Sequence, residues 1–322
     1  MRSFGSALVT GATGFIGSAL VARLAAEQVN VTCLVRHSKG FQAFDNLKNV
    51  RVIEVPSFQT SCLKEHLSNI SADVVFNLAS YGVQQEDRDP DELIEGNVRL
   101  LTRLLDVVAK WPLKRFIHTG SCSEYGLPES EGLPISESQR LHPLSLYGAA
   151  KAATGLLGTT YASQLNIPFV TLRLFGVFGT REAAQRLIPY MIRRLDQDQA
   201  VDLTPGEQVR DLLFEEDVVE AFLKAAEAEL DLYEAYNVCS SWPTRIREVG
   251  EVVADTLQKP RDLLQWGRRQ YRTDEPMWLV GDNRRFVRAT SWRPAVSLED
   301  GIRRIISSGR FSQARIGHQH AI

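Results

Sequence analysis

Short apolar runs alternate with helix-patterned segments from the start of the chain. Residues 7–9, 31–35, 51–55, 74–78, 116–119 and 169–174 are apolar and β-rich with little in–out alternation, as expected of strands buried on both faces. Between them, 19–26, 97–110 and 147–165 carry apolar residues at three- and four-residue spacing and read as helices. This order predicts an α/β fold: a Rossmann-type, doubly wound parallel sheet with helices on both faces. After Phe175 the alternation is lost: 186–195 and 215–228 read as helices, 201–203 and 236–239 as strand-like pieces. The expected division is a first domain over 1–175, a smaller α/β lobe over 176–310 with some segments returning to the first domain, and a polar tail over 311–322.

Gly11, Gly14 and Gly17 lie directly after the first strand and directly before the first helix. A strand-to-helix turn of this spacing uses one glycine to turn, one to let backbone N–H groups approach a pyrophosphate, and one for helix–strand packing. Thr13, Phe15 and Ile16 complete the predicted dinucleotide loop. The second strand ends in Leu34-Val35-Arg36-His37-Ser38-Lys39, with no carboxylate for an adenosine 2′-hydroxyl. Arg36, Ser38 and Lys39 instead suit a 2′-phosphate, so NADP(H) is preferred, with NAD(H) possible.

Composition removes several classes. The 322 residues are 44% hydrophobic and 24% charged with a net charge of −2, which gives no basic footprint for nucleic acid. Four scattered cysteines without a CxxC pair, and six histidines without metal-ligand spacing, point to neither a metal site nor a disulfide framework. No apolar run is long enough for a membrane span, and the N-terminal segment does not read as a signal peptide. A cytoplasmic location is expected.

Tyr147 and Lys151 stand one turn apart at the start of a predicted helix, and Ser121 ends a strand before them. A phenol is a poor acid–base at neutral pH, and a neighbouring cation is expected to lower its pKa. Together with the glycine loop, these residues resemble the extended short-chain dehydrogenase/reductase family. The resemblance also covers 74–79, Arg173-Leu174-Phe175-Gly176, and Val209 to Val218. It implies that Ser121 binds the reacting oxygen, Tyr147 is the acid–base, and Lys151 holds the nicotinamide ribose. It further implies that Leu78, Ala79, Ser80 and a helix-starting Asn97 line the cofactor. Two positions depart from the pattern: Asn77 stands where a histidine is usual, and Ser57 where an aspartate often contacts adenine.

Within that family, 4,6-dehydratases are similar in placing Thr, Asp and Glu at positions corresponding to 121, 122 and 123. This chain has Ser121, Cys122 and Ser123, and its carboxylate, Glu124, is displaced by one residue. A slip of one at a strand end turns the side chain away, so dehydration is disfavoured. The resemblance then implies NADPH-dependent reduction of the C4 keto group of a nucleotide-linked 4-keto-6-deoxy sugar. A 4-epimerase retaining tightly bound NAD is the alternative, and a non-catalytic NADP(H)-binding sensor is the alternative of another class. For the nucleotide sugar, Ser121, Ser123, Arg210, Arg272 and Asp274 are the expected contacts, the arginines facing the diphosphate. The family also implies a homodimer through the helices at 97–110 and 147–165.

Overall fold

The computed structural model describes residues 2–36, 44, 47–83, 87, 89–129, 132–272 and 275–311. Its strands are β1 (Ser6–Thr10), β2 (Asn30–Val35), β3 (Val50–Glu54), β4 (Val74–Asn77), β5 (Arg115–Ser121), β6 (Phe169–Leu174), β7 (Gly176–Phe178), β8 (Val201–Asp202), β9 (Val209–Phe214), β10 (Ala235–Val238), β11 (Pro243–Arg245), β12 (Leu264–Gln265) and β13 (Trp278–Leu279). The α-helices are α1 (Phe15–Ala26), α2 (Thr60–His66), α3 (Pro90–Leu93), α4 (Leu100–Val108), α5 (Leu146–Gln164), α6 (Leu187–Asp196), α7 (Glu215–Glu227), α8 (Ile246–Thr256), α9 (Arg284–Thr290) and α10 (Leu298–Ser307).

Seven strands form one sheet in the order β10-β6-β5-β4-β1-β2-β3, with every neighbouring pair parallel. Successive strand residues point to opposite faces, and both faces are apolar. Val9, Cys33, Phe76 and Leu172 join Leu20 and Phe222 on one side, while Leu8, Leu34, Val75 and Phe116 join Leu101 and Leu105 on the other. This explains the missing alternation in the sequence. Strand order reverses between β1 and β4, so a crevice opens beyond their carboxyl ends, where such sheets bind ligands.

The rest of the chain supplies a second sheet, in which β11, β13 and β7 each pair with β9, and a two-stranded pairing of β12 with β8. These pack with α6, α8 and α10 around Met191, Leu195, Val253 and Ile302. Asp211 of β9 ties this part to the segments that follow β10. Its buried carboxylate accepts from Ser240 N and Oγ (both 2.7 Å), Ser241 N (2.9 Å) and Gly281 N (3.2 Å). No helix among the described residues is long and apolar enough to cross a membrane.

One helix begins elsewhere than expected. Asn97 does not start a helix; it lies in a π-helical turn, Ile94–Arg99, that joins α3 to α4. The start is Asp89, whose side chain accepts from Asp91 N and Glu92 N, with Pro90 in the first turn where a missing N–H costs nothing.

Candidate active site

Gly11 leaves β1 with φ +67°, and a Cβ there would stand 2.6 Å from Ala79 N and 2.7 Å from the Leu78 carbonyl carbon. A Cβ on Gly17 would stand 2.1 Å from Gly11 O. Bare backbone at these two positions therefore lets the turn lie against the end of β4 and under α1. Gly14 caps α1 without a side-chain acceptor, so the first-turn N–H groups are left for an outside anion. Thr13, Phe15 and Ile16 are at least partly exposed around this cradle, which fits a dinucleotide's phosphates. Below it, Thr10 donates to Asn77 Oδ1 (2.6 Å) and Asn77 Nδ2 approaches His118 Nδ1 (3.1 Å). Asn77 thus links β1, β4 and β5 from the position where a histidine was expected.

Ser121, Tyr147 and Lys151 converge at the carboxyl end of β5. Ser121 is the last strand residue, and Ser145 caps α5 by accepting from Gly148 N (3.0 Å). A Cβ on Gly148 would meet Ser123 O at 2.4 Å, so glycine lets the first turn of α5 press against the strand end. The hydroxyls of Ser80 and Ser121 both act on the Tyr147 oxygen. Burial nevertheless pushes the phenol up to about 12, opposed by those two hydroxyls. Lys151, expected to lower the phenol, donates from Nζ to Thr119 O at 2.6 Å. Burial pulls Lys151 itself down to about 8, with Glu124 opposing.

Glu124 is fully buried, and both of its carboxylate oxygens are held by protein groups. Its Oε1 accepts from Ser121 N (2.7 Å), closing a capping box with Ser121 Oγ, and its Oε2 pairs with Arg173 Nε (2.7 Å). Arg173 also donates to Tyr125 Oη (3.0 Å), which donates to Asn237 Oδ1 (2.7 Å). Ser121 Oγ accepts from Ser123 N (3.2 Å), which leaves its proton free to donate.

Asn97 is engaged within the protein. It donates to Tyr81 O (3.0 Å) and Leu93 O (2.9 Å) and accepts from Ser80 Oγ (2.9 Å) and Tyr81 N (3.3 Å). It braces the segment after β4 that carries Leu78, Ala79 and Ser80. Ser80 was expected beside the cofactor; the structure also puts it against the Tyr147 oxygen, a contact between distant segments with no sequence signal.

Arg210 and Arg272 meet through Glu275, which receives Arg210 Nη2 on one oxygen and Arg272 Nε (2.9 Å) on the other. Burial pulls the Arg210 guanidinium down and Glu275 opposes this. Burial pushes the Cys122 thiol up to about 12, and the charge of Arg210 is the next influence, pulling it down. The Arg210 charge is thus felt at Cys122, between Ser121 and the half-buried Ser123. Glu275 carried no expected role, since a carboxylate three residues after an arginine reads as a surface pair. Arg36 is exposed beyond the end of β2. Ser38, Lys39 and Asp274 lie outside the described residues.

The chain is similar to known proteins along most of its length. CDP-abequose synthase of Salmonella typhimurium is 28% identical, covering 93% of this chain and 96% of its own. The structure of UDP-glucose 4-epimerase with UDP-glucose from Thermotoga maritima superposes with a TM-score of 0.86 at 24% identity, covering 95% of this chain and 98% of its own. MoeE5 in complex with UDP-glucuronic acid and NAD superposes with a TM-score of 0.82 at 26% identity, covering 95% and 99%. Residues 7–239, which include the glycine loop, Ser121, Tyr147, Lys151 and β10, match the model of the NAD dependent epimerase/dehydratase family. The chain belongs to that family, whose members are extended short-chain dehydrogenase/reductases.

Proposed function

We propose that this enzyme uses NADPH to reduce the C4 carbonyl of a nucleotide-linked 4-keto-6-deoxy sugar. The observation that carries this reading is the make-up of the site: the Tyr147 phenol lies by Ser80 and Ser121, able to give a proton, and the acids that dehydration needs are missing beside it. Glu124 is committed to Arg173, and Cys122 and Ser123 occupy the neighbouring positions, so no carboxylate stands at 121–123 to eliminate water from the sugar.

The nicotinamide, when bound, supplies the hydride to C4. Tyr147 gives its proton to the oxygen as it becomes an alkoxide, and Ser121 donates a hydrogen bond to the same oxygen. Lys151, charged below about pH 8, holds a ribose hydroxyl and stabilises the phenolate left behind. Arg210 and Arg272 bind the substrate diphosphate in exchange for Glu275. The exposed Arg36 and the absence of a carboxylate at 34–39 support NADPH as donor.

A 4-epimerase is the second reading, favoured by the NAD in the MoeE5 complex and by the likeness to a UDP-glucose 4-epimerase. A homodimer is part of the proposal. Leu156 and Leu157 of α5 are 63% and 46% exposed, and α4 packs beside that helix. Turnover of a 4-keto nucleotide sugar with NADPH, with Tyr147→Phe as the control, tests the reading.

A further inference from the structure

Glu124 stands one residue past the positions where a dehydrating acid would act, and it takes no part in the reduction itself. Its carboxylate fills a gap between the two elements that carry Ser121 and Lys151. A Cβ on Gly120 of β5 would stand 2.7 Å from Oε1, so bare backbone there makes the room. A Cβ on Gly155, one turn of α5 beyond Lys151, would stand 3.8 Å from Oε2. The carboxylate is held in that gap, Oε1 accepting from Ser121 N (2.7 Å) and Oε2 from Arg173 Nε (2.7 Å). Arg173 lies beside Gly120 on β6 and is anchored in turn by Tyr125. The Tyr125 ring centroid lies 4.9 Å from the guanidinium carbon, and its hydroxyl accepts from Nη1 (3.0 Å).

Lys151 is buried, and its Nζ donates to Thr119 O (2.6 Å) on the same strand end. An ammonium in such a place is stable only with a negative charge nearby. The titratable and charged groups around it are Tyr147 on its own helix, His118 on β5, and Glu124 with its partner Arg173 of β6. Burial, and then the Lys151 charge, pull His118 down, so it is neutral and offers no counter-charge. Tyr147, raised by burial, is a neutral phenol. Among the described residues, Glu124 is the anion that opposes the lowering of Lys151 by burial.

We propose that Glu124, anchored by Arg173, is a positioning residue that acts through Lys151: its charge, fixed against α5, holds the lysine as the cation that grips the cofactor. This rests on the reading of Lys151 as the residue at the nicotinamide ribose.

Dissociation constants of NADPH and NADH between pH 6 and pH 10, read by nicotinamide fluorescence, test the proposal. The proteins are wild type, Glu124→Gln and Glu124→Gln/Arg173→Met, each with its melting temperature. Glu124→Gln keeps the shape and an acceptor for Ser121 N without the charge. The double variant also removes the guanidinium that the single one leaves unpaired, so it serves where the single variant does not fold. Wild type loses affinity for both cofactors as pH rises through about 8. In Glu124→Gln the midpoint falls by about one pH unit, and in the double variant it falls by less. A lowered melting temperature with the midpoint unmoved would mean that the pair supports only the fold, and would overturn the proposal. A wild-type affinity flat to pH 10 would overturn both the proposal and the role of Lys151. Failure of wild type to reduce a 4-keto sugar would count against the proposed reaction alone, because the binding curves need no sugar.

Discussion

Arg173 Nε lies 2.7 Å from Glu124 Oε2 in an ion pair whose carboxylate is fully buried. The pair reaches the end of β5, because the other oxygen of Glu124 accepts from Ser121 N. Removing one partner leaves an uncompensated buried charge. Glu124→Ala should therefore destabilise the fold by about 3–5 kcal/mol in denaturant unfolding. A variant with unchanged stability would contradict this.

The pH dependence of turnover should follow Lys151. Burial lowers its ammonium to about 8, so the charge is present below that pH and is lost as pH rises through it. The kcat/KM of wild type should fall on the alkaline side near pH 8, and Lys151→Met should abolish that limb while weakening the cofactor. A wild-type profile flat to pH 10 contradicts this.

Glu182 makes a separate prediction about stability. Burial raises its carboxyl to about 7 from 4.5, although Arg186 opposes this, and its Oε2 is without a hydrogen-bond partner. Because the folded pKa is the higher one, the native state binds more protons between about pH 4.5 and 7, and stability falls as pH rises through that window. Glu182→Gln should remove the dependence and stabilise the protein at pH 8 by about 1–3 kcal/mol. Melting temperatures of the two proteins at pH 5 and pH 8 check it, and an equal difference at both pH values would refute it.

Arg36→Asp should reverse the order of cofactor affinity, so that NADH binds more tightly than NADPH. Recovery of the wild-type protein with NAD tightly bound after purification would contradict the NADPH assignment and favour the epimerase.

Much of the sheet was legible because buried parallel strands are continuous apolar runs, and Ser121, Tyr147 and Lys151 were legible because two of them share a helix turn and the third ends a strand. What escaped the sequence depends on partners far apart in the chain. The carboxylate of Glu124 is explained by Arg173, and the joint position of Arg210 and Arg272 by Glu275. Asn97 was expected at a helix start beside the cofactor, but local spacing reveals neither the π turn nor the amide's bonds to Tyr81 and Leu93. The burial of Tyr147, which raises its phenol, is likewise invisible to a spacing that shows only a nearby lysine.

The most direct test of the central claim is incubation with 4-deuterated NADPH and a panel of nucleotide-linked 4-keto-6-deoxy sugars, followed by mass spectrometry of the product. A 4-ketoreductase places one deuterium at C4 of the sugar and consumes one NADPH per product. Tyr147→Phe should slow this by about 10²–10⁴-fold while both ligands still bind. Interconversion of 4-hydroxy epimers without net loss of NADPH, or near-normal reduction by Tyr147→Phe, would contradict the account.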